Sequence, residues 1–231
     1  MDASPTLRLY SGPLSMFGAK VQIALLEKGL PFALEMVPFD FHRLYEPKHP
    51  EVLRINPKKQ VPVLVHGDLE VFDSTQIFEY LEDLAPEPPL WPRGLAQRAR
   101  ARLLEHQSDE VYFAPVIRLM GLQQDLQGAA ARDAIAACST YYARMEPLLA
   151  RHDYLAGDYS FADIAFYMAQ LFGERQGAPM TGDTPALLRW RDRVGARPAV
   201  RAVVGPMVAY LLSVGRPLPP FLQPFAPPPA A

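Results

Sequence analysis

Cysteine is almost missing from this chain. Cys138 is the single one among 231 residues, so no internal disulfide can form and no Cys-x-x-Cys pair exists. Dithiol redox chemistry is thereby excluded, and the chain reads as soluble and suited to a reducing compartment, the cytoplasm. Neither sign of charge dominates. The 23 Lys and Arg against 25 Asp and Glu leave a formal net charge of −2, with no basic surplus for nucleic acid and no acidic tail. No apolar run approaches the ~20 residues that cross a bilayer. The opening Met-Asp-Ala-Ser-Pro-Thr lacks a charged segment followed by an apolar one, so no export signal is expected. No internal repeat is evident. What remains is a chain 49% hydrophobic, able to form a real core in one large domain or two small ones.

The densest information lies between Gln60 and Leu81. Two short apolar runs, Val61 to Val65 and Leu69 to Phe72, flank His66-Gly67-Asp68, the pattern of a hairpin. Ile77, Tyr80, Leu81 and Leu84 then fall at helical spacing behind a cap supplied by Asp73 or Ser74. Pro62 suits the start of a strand, since it cannot donate to a ladder. If its preceding bond is cis, the main chain of Val61 faces outward, open to an extended ligand. Upstream, Leu7 to Tyr10 reads as a strand, Ser11-Gly12-Pro13 as a turn, and Val21, Ala24 and Leu25 as a helix face ended by Gly29. Phe32 to Val37 is a second strand, Phe39 to Pro50 a loop, and Glu51 to Ile55 a short helix. The predicted order is β-α-β-(α)-β-β-α, with a right-handed crossover in its first part.

Pro86, Pro88, Pro89 and Pro92 surround Leu90-Trp91 and mark a stiff linker. No convincing strand lies beyond it. Leu95 to Met120 is expected as one helix, bent at Pro115 if anywhere. Ile135, Cys138, Tyr142, Met145 and Leu149 mark another helix. Ser160-Phe-Ala-Asp163 has capping-box spacing, with Asp in place of Glu. Two further helices are expected over Pro185 to Val194 and Pro198 to Leu212. The tail after Gly215 carries seven prolines and is expected to wrap the surface or stay disordered. Residues 1–85 form an α/β domain, 86–94 the linker, and 95–231 an all-helical domain with the tail.

Ser15 sits where the first helix begins. A helix cap accounts for a serine there; a functional role requires the loops carrying Ser15, Val61-Pro62 and Asp73-Ser74 to converge at one end of the sheet. The N-terminal ends of the helices following Ser15 and Asp73 would favour anions there.

These segments resemble the cytosolic glutathione transferases. Gln60-Val61-Pro62-Val63-Leu64, Asp73-Ser74, Leu90-Trp91-Pro92 and Ser160-Phe-Ala-Asp163-Ile164 carry the likeness, and Leu14-Ser15-Met-Phe-Gly-Ala-Lys20-Val21 is similar to the serine-type catalytic segment of theta-like, zeta-like and many bacterial members. The resemblance implies a thioredoxin-like first domain and a helical second one, a cytoplasmic homodimer, and glutathione as co-substrate without a metal. By it, Ser15 donates a hydrogen bond to the glutathione thiolate. Val61 pairs with the cysteinyl unit, and Pro62 is the cis-proline. Asp73 and Ser74 hold the γ-glutamyl end, Lys48 meets the glycine carboxylate, and Gln60 hydrogen-bonds where relatives are often basic. Leu14, Met16, Tyr112, Phe113 and Arg118 are placed around the second substrate, a small hydrophobic electrophile; for the aromatics, a place in the core is the competing reading. Pro47 stands where relatives often carry His, leaving His49 or His42 as substitutes, and Arg102 where many are acidic. Those two departures keep open a second possibility, a non-catalytic module of the same fold that docks a protein partner.

Overall fold

The computed structural model describes residues 6–227. The first five residues, and Pro228 and Pro229 of the tail, lie outside them. The described chain divides into two compact units. One holds the residues up to Pro88 with Ala202–Pro217 and the residues from Pro224 on; the other holds Pro89–Arg201 with Leu218–Gln223.

The first unit is built on four strands. In chain order they and their helices are β1 (Leu7–Ser11), α1 (Met16–Glu27), β2 (Phe32–Met36), α2 (Pro50–Ile55), β3 (Val63–His66), β4 (Leu69–Phe72) and α3 (Ser74–Leu84). The sheet order is β2-β1-β3-β4, with β1 parallel to β2 and the other pairs antiparallel. This is the expected thioredoxin-like arrangement. Local chemistry explains its corners. After α1, Gly29 adopts φ 64°, and Leu30 and Gly29 donate to the carbonyls of Leu25 and Leu26, a Schellman ending. His66 pairs with Leu69, so the hairpin loop is the two residues Gly67-Asp68, with Gly67 supplying the positive φ. Alternate residues of β1 and β3, Leu7, Leu9 and Leu64, meet Val21 and Leu25 of α1 and Ile77 and Leu81 of α3 in one buried cluster. Each such side chain contributes about 1.5–3 kcal/mol by leaving water. The opposite face gathers Tyr10, Val37, Val52 and Val63. Lys28, whose side chain is fully buried, ties the end of α1 to the end of α3 and the prolines beyond it. Its ammonium donates to the carbonyls of Ala85 and Pro88 at 2.7 and 3.1 Å and pairs with Glu82 at 2.6 Å.

The second unit is all-helical: α4 (Leu95–Gln107), α5 (Phe113–Gly121), α6 (Ala129–Leu149), α7 (Phe161–Arg175) and α8 (Pro185–Gly195), while α9 (Pro198–Ser213) passes from this unit into the first at Arg201. Twelve of the fifteen residues of α7 are buried, so it is the central helix. Asp163 in its first turn accepts from the amides of Leu155 and Ser160, the Ser160 hydroxyl and the indole of Trp190. The carboxylate of Glu146 takes the amides of Ala186 and Leu187 at 2.8 Å each and so caps α8.

Two expectations change. The long helix is interrupted before Pro115, by a π-helical stretch over Ser108–Tyr112 closed by the Phe113 amide donating to the Ser108 carbonyl. Pro115 has no N–H for the carbonyl of Val111 and its ring crowds that group; widening the preceding turn removes the conflict. The C-terminal segment, whose pattern places it wholly in the helical domain, instead contributes Ala202–Pro217 to the sheet unit. Among the described residues of the tail, Pro220–Phe225 forms a 3-10 turn that buries Leu222, and the Arg191 guanidinium lies 4.5 Å above the Phe221 ring.

Candidate active site

Register brings three loops together. Tyr10 pairs with Val63 and Val63 with Phe72. The turn leaving β1, the Val61-Pro62 approach to β3 and the Asp73-Ser74 exit from β4 therefore share one end of the sheet.

Ser15 is the N-cap of α1. Its Oγ accepts the Gly18 amide at 3.0 Å, and its own amide donates to the Gly12 carbonyl at 3.1 Å. The hydroxyl proton has no acceptor among the described residues. No acidic side chain occupies the first turn of α1, so the positive end of the helix is uncompensated there. Ser11, fully buried, accepts from the Gln22 side chain at 2.9 Å. Gly18 makes this packing possible. A Cβ at that position would collide with Ser11 Oγ and lie 3.1 Å from both Ser11 Cβ and Ser15 Oγ. Hydrophobic spacing says nothing of Gly18, yet a glycine in the first turns of a helix, costing about 1 kcal/mol against alanine, is a signal that something presses close.

The Val61–Pro62 bond is cis. The ladder begins only at Val63, and no described residue pairs with the Val61 main chain. The turn before it is held by Asn56, 3% exposed, whose amide group donates to the Gln60 carbonyl at 2.6 Å and accepts the Lys58 amide at 2.9 Å. Asn56 is a second residue that the pattern does not single out, since its Asn-Pro pair reads only as a helix stop. Gln60 itself is exposed.

Asp73, not Ser74, is the cap of α3. One carboxylate oxygen accepts the amides of Thr75 and Gln76 at 3.1 and 3.4 Å, and the other lies 3.9 Å from the Lys58 ammonium. Its φ of 75° is rare for a residue with a side chain and costs about 1–3 kcal/mol. Ser74 is buried beside it in the first turn. The Asp73 side chain keeps 41% of its surface exposed and can take a further cation.

Other residues stand differently from expectation. Lys48 is paired with Glu46 at 3.0 Å. His49 caps α2, its Nδ1 accepting the Glu51 amide, and its ring packs 5.1 Å from that of Tyr10; the Nε2 proton remains to donate. Arg102 lies over the ring of Trp91. Tyr112 is corrected from pocket wall to core: it has no exposed surface, its hydroxyl meets that of Tyr142, and Tyr141 and Phe166 pack on its ring. Phe113 is likewise buried, stacked on Phe172. Arg118 is exposed beside a shallow depression with Gly121, Leu122, Ala130 and Asp133. Met16 is 4% exposed, while Leu14 is half-buried. Among the described residues no group of three or more His, Cys, Asp or Glu could hold a metal ion, and no helix is long and apolar enough to cross a membrane.

Comparison with known proteins bears on the fold and the family. The glutathione S-transferase N-terminal domain model matches residues 9–89, and the C-terminal domain model residues 109–198. Protein LigF of Sphingobium is 31% identical over 241 residues, covering 85% of this chain and 92% of that protein. A stringent starvation protein A homolog of Coxiella burnetii is 37% identical over 109 residues, covering 46% of this chain. The chain spans 48% of that relative and 44% of a matching plant glutathione S-transferase, about half the length of each. The crystal structure of a glutathione S-transferase from Rhodospirillum rubrum superposes with a TM-score of 0.78 at 29% identity, covering 95% of this chain and 99% of that one. The two domain models in sequence, on a thioredoxin-like sheet followed by helices, establish that this chain belongs to the glutathione S-transferase family.

Proposed function

We propose that this protein is a serine-type glutathione transferase, theta-like or zeta-like, that holds glutathione as its thiolate for attack on a small hydrophobic electrophile. One observation carries the reading: the Ser15 hydroxyl stands at the start of α1 with its oxygen engaged by the Gly18 amide and its proton uncommitted. An amide donating into that oxygen makes the O–H a stronger donor. A free thiol with a pKa near about 8.5 is mostly protonated at neutral pH, and only the thiolate is a good nucleophile. Lowering that pKa by about two units takes roughly 2.7 kcal/mol, within reach of one charge-assisted hydrogen bond aided by the helix end. No general base is needed.

The remaining roles belong to the same reading. The Val61 main chain pairs with the cysteinyl unit beside Pro62, Gln60 offers a hydrogen bond, Asp73 takes the ligand amine and Ser74 its α-carboxylate. Lys48 serves the glycine carboxylate only by sharing its charge with Glu46, so His49 is the better donor there. Leu14 flanks the sulfur, and the electrophile is bound next to it. The protein works as a cytoplasmic homodimer, without a metal, nucleic acid or membrane. The test is retention on immobilised glutathione together with turnover of a generic aryl halide. Ser15→Ala should abolish turnover and keep retention, and Asp73→Ala should lose retention. Turnover untouched by Ser15→Ala overturns the assignment.

A second reading has its own support. The pairing of Lys48 with Glu46 and the use of one Asp73 oxygen for capping leave fewer free charges for a tripeptide, and a stringent starvation protein A homolog is among the relatives. A non-catalytic module that docks a protein partner fits those facts. No turnover with any electrophile, despite intact folding, would favour it.

A further inference from the structure

The loop between β2 and α2 carries an aromatic chain that ends on the Ser15 turn. Asp40 shapes the loop: its carboxylate accepts the amides of His42 and Arg43 at 2.7 Å each, and its amide donates to the Leu44 carbonyl at 3.0 Å. Leu44, exposed, is held at φ 56°, a left-handed conformation that a leucine rarely adopts. Tyr45 comes next and lies across Gly12. A Cβ on Gly12 would fall 2.6 Å from the Tyr45 hydroxyl oxygen and 2.7 Å from Cζ, and closer still to Cε1. Gly12 is the residue whose carbonyl receives the Ser15 amide. On its other side Tyr45 packs against Phe39, ring centroids 4.7 Å apart. The Phe39 carbonyl accepts the Tyr210 hydroxyl of α9 at 2.8 Å, and Phe41, whose ring packs on that of Phe39, carries the Arg216 guanidinium 4.1 Å above its own. Tyr210, Phe39, Tyr45, Gly12 and Ser15 thus form a continuous path inside the sheet unit.

We propose that Tyr45 is a positioning residue for Ser15: its ring clamps Gly12 and so fixes the turn that places the Ser15 hydroxyl, while Tyr210 of α9 holds the clamp through Phe39. The proposal rests on the reading of Ser15 as the thiolate donor. Its physical basis is tolerance. A donor must sit within about 0.5 Å of its productive place, and a displacement of about 1 Å costs up to a hundredfold in rate. Without the ring, Gly12 has an open space into which the turn relaxes. The clamp also explains why position 12 has no side chain.

Two readouts test it with bound glutathione: the ultraviolet absorbance of the thiolate against pH, and hydrogen exchange of the peptide holding Gly12 to Ser15. Tyr45→Ala should reduce the thiolate fraction at neutral pH about tenfold or more and speed exchange in that peptide, with retention on immobilised glutathione kept. Tyr45→Phe, which retains Cε1, should restore most of both. Gly12→Ala should push the ring away and reproduce Tyr45→Ala, and the double variant should be no worse than either single. Tyr210→Phe should give the same change, weaker, and carries the test if Tyr45→Ala does not fold. Thiolate and exchange both unchanged in Tyr45→Ala, or in Tyr210→Phe should the first not fold, or defects that multiply in the double variant, overturn the proposal. If Ser15→Ala leaves the thiolate unchanged while Tyr45→Ala speeds exchange, the clamp stands and the role given to Ser15 fails.

Discussion

Replacing Gly18 by alanine sets two opposed effects against each other at the proposed catalytic helix. In an exposed helix, alanine in place of glycine stabilises by up to about 1 kcal/mol. Here the added methyl meets Ser11 Oγ and crowds Ser15 Oγ at 3.1 Å. Ser11 has no exposed surface and holds the Gln22 side chain, itself 6% exposed. Moving its hydroxyl aside leaves a buried amide donor unpaired, about 1–3 kcal/mol, and the overpacking costs a further ~1–3 kcal/mol. The losses win by roughly 2–3 kcal/mol, a fall in thermal midpoint of about 5–10 °C for a chain of this size. Circular dichroism melts measure it. A second substitution isolates the cause. Ser11→Ala removes the colliding oxygen while also losing the Gln22 bond, so Ser11→Ala/Gly18→Ala should be close to Ser11→Ala alone, well short of the sum of the two singles. A higher midpoint for Gly18→Ala, or single effects that add within about 0.5 kcal/mol, would refute the reasoning.

Asp163→Asn should lower stability by about 2–4 kcal/mol, because an amide presents N–H to two of the four donors now facing the carboxylate. Burial raises the Asp163 pKa from 3.8 to about 6. The folded protein therefore holds a proton that the unfolded chain releases, and this contribution to stability is full below the lower value and lost as pH rises through the upper one. The difference in midpoint between the native protein and Asp163→Asn should widen as pH falls through that window; a constant difference would contradict it. Cys138 has no exposed surface, and burial pushes its thiol up to about 11. A thiol reagent at mildly alkaline pH should label it at least a hundredfold more slowly than a free cysteine, and rapidly once denaturant is added. Labelling of the folded protein at the free rate would disprove the buried placement.

Much of the sheet unit is legible in the sequence because its signals are local. The switch from alternation to helical spacing, Gly29 after α1 and Gly67 in the hairpin each act through neighbours within a few residues, and the structure uses each of them as read. The two helix starts near the site are legible for the same reason: a cap bonds to amides two or three residues on, so Ser15 and Asp73 announce themselves. Residues that act at longer range do not. The Tyr45–Gly12 contact joins segments whose meeting depends on how loops close, whereas Asn56 and Lys48 bond within four residues, to Gln60 and Lys58 and to Glu46, in loops that carry no periodic pattern to single those bonds out.

Tyr112 and Phe113 take the core place that competed with the pocket reading, and Phe113 does so for a more specific reason. The resemblance places both beside the second substrate, but on an uninterrupted helix counted at about 100° per residue Tyr112 already falls on the buried line of Ala101, Glu105 and Ser108, and only Phe113 falls off it. A π-helical turn takes one residue more than an α-helical turn, so everything beyond it is rotated by roughly that angle from where the count places it. Tyr112 is the last residue of the π stretch, and from there the buried side is Phe113, Val116 and Leu119, with Ile117, Arg118 and Met120 outward. The cause is Pro115, which the sequence marks as a disturbance and for which a bend at its own position is the simplest expectation. Proline acts on the carbonyl four residues earlier, so its effect belongs upstream. Counting faces separately on either side of that upstream turn brings Phe113 into the core beside Tyr112, on one line with Val116 and Leu119.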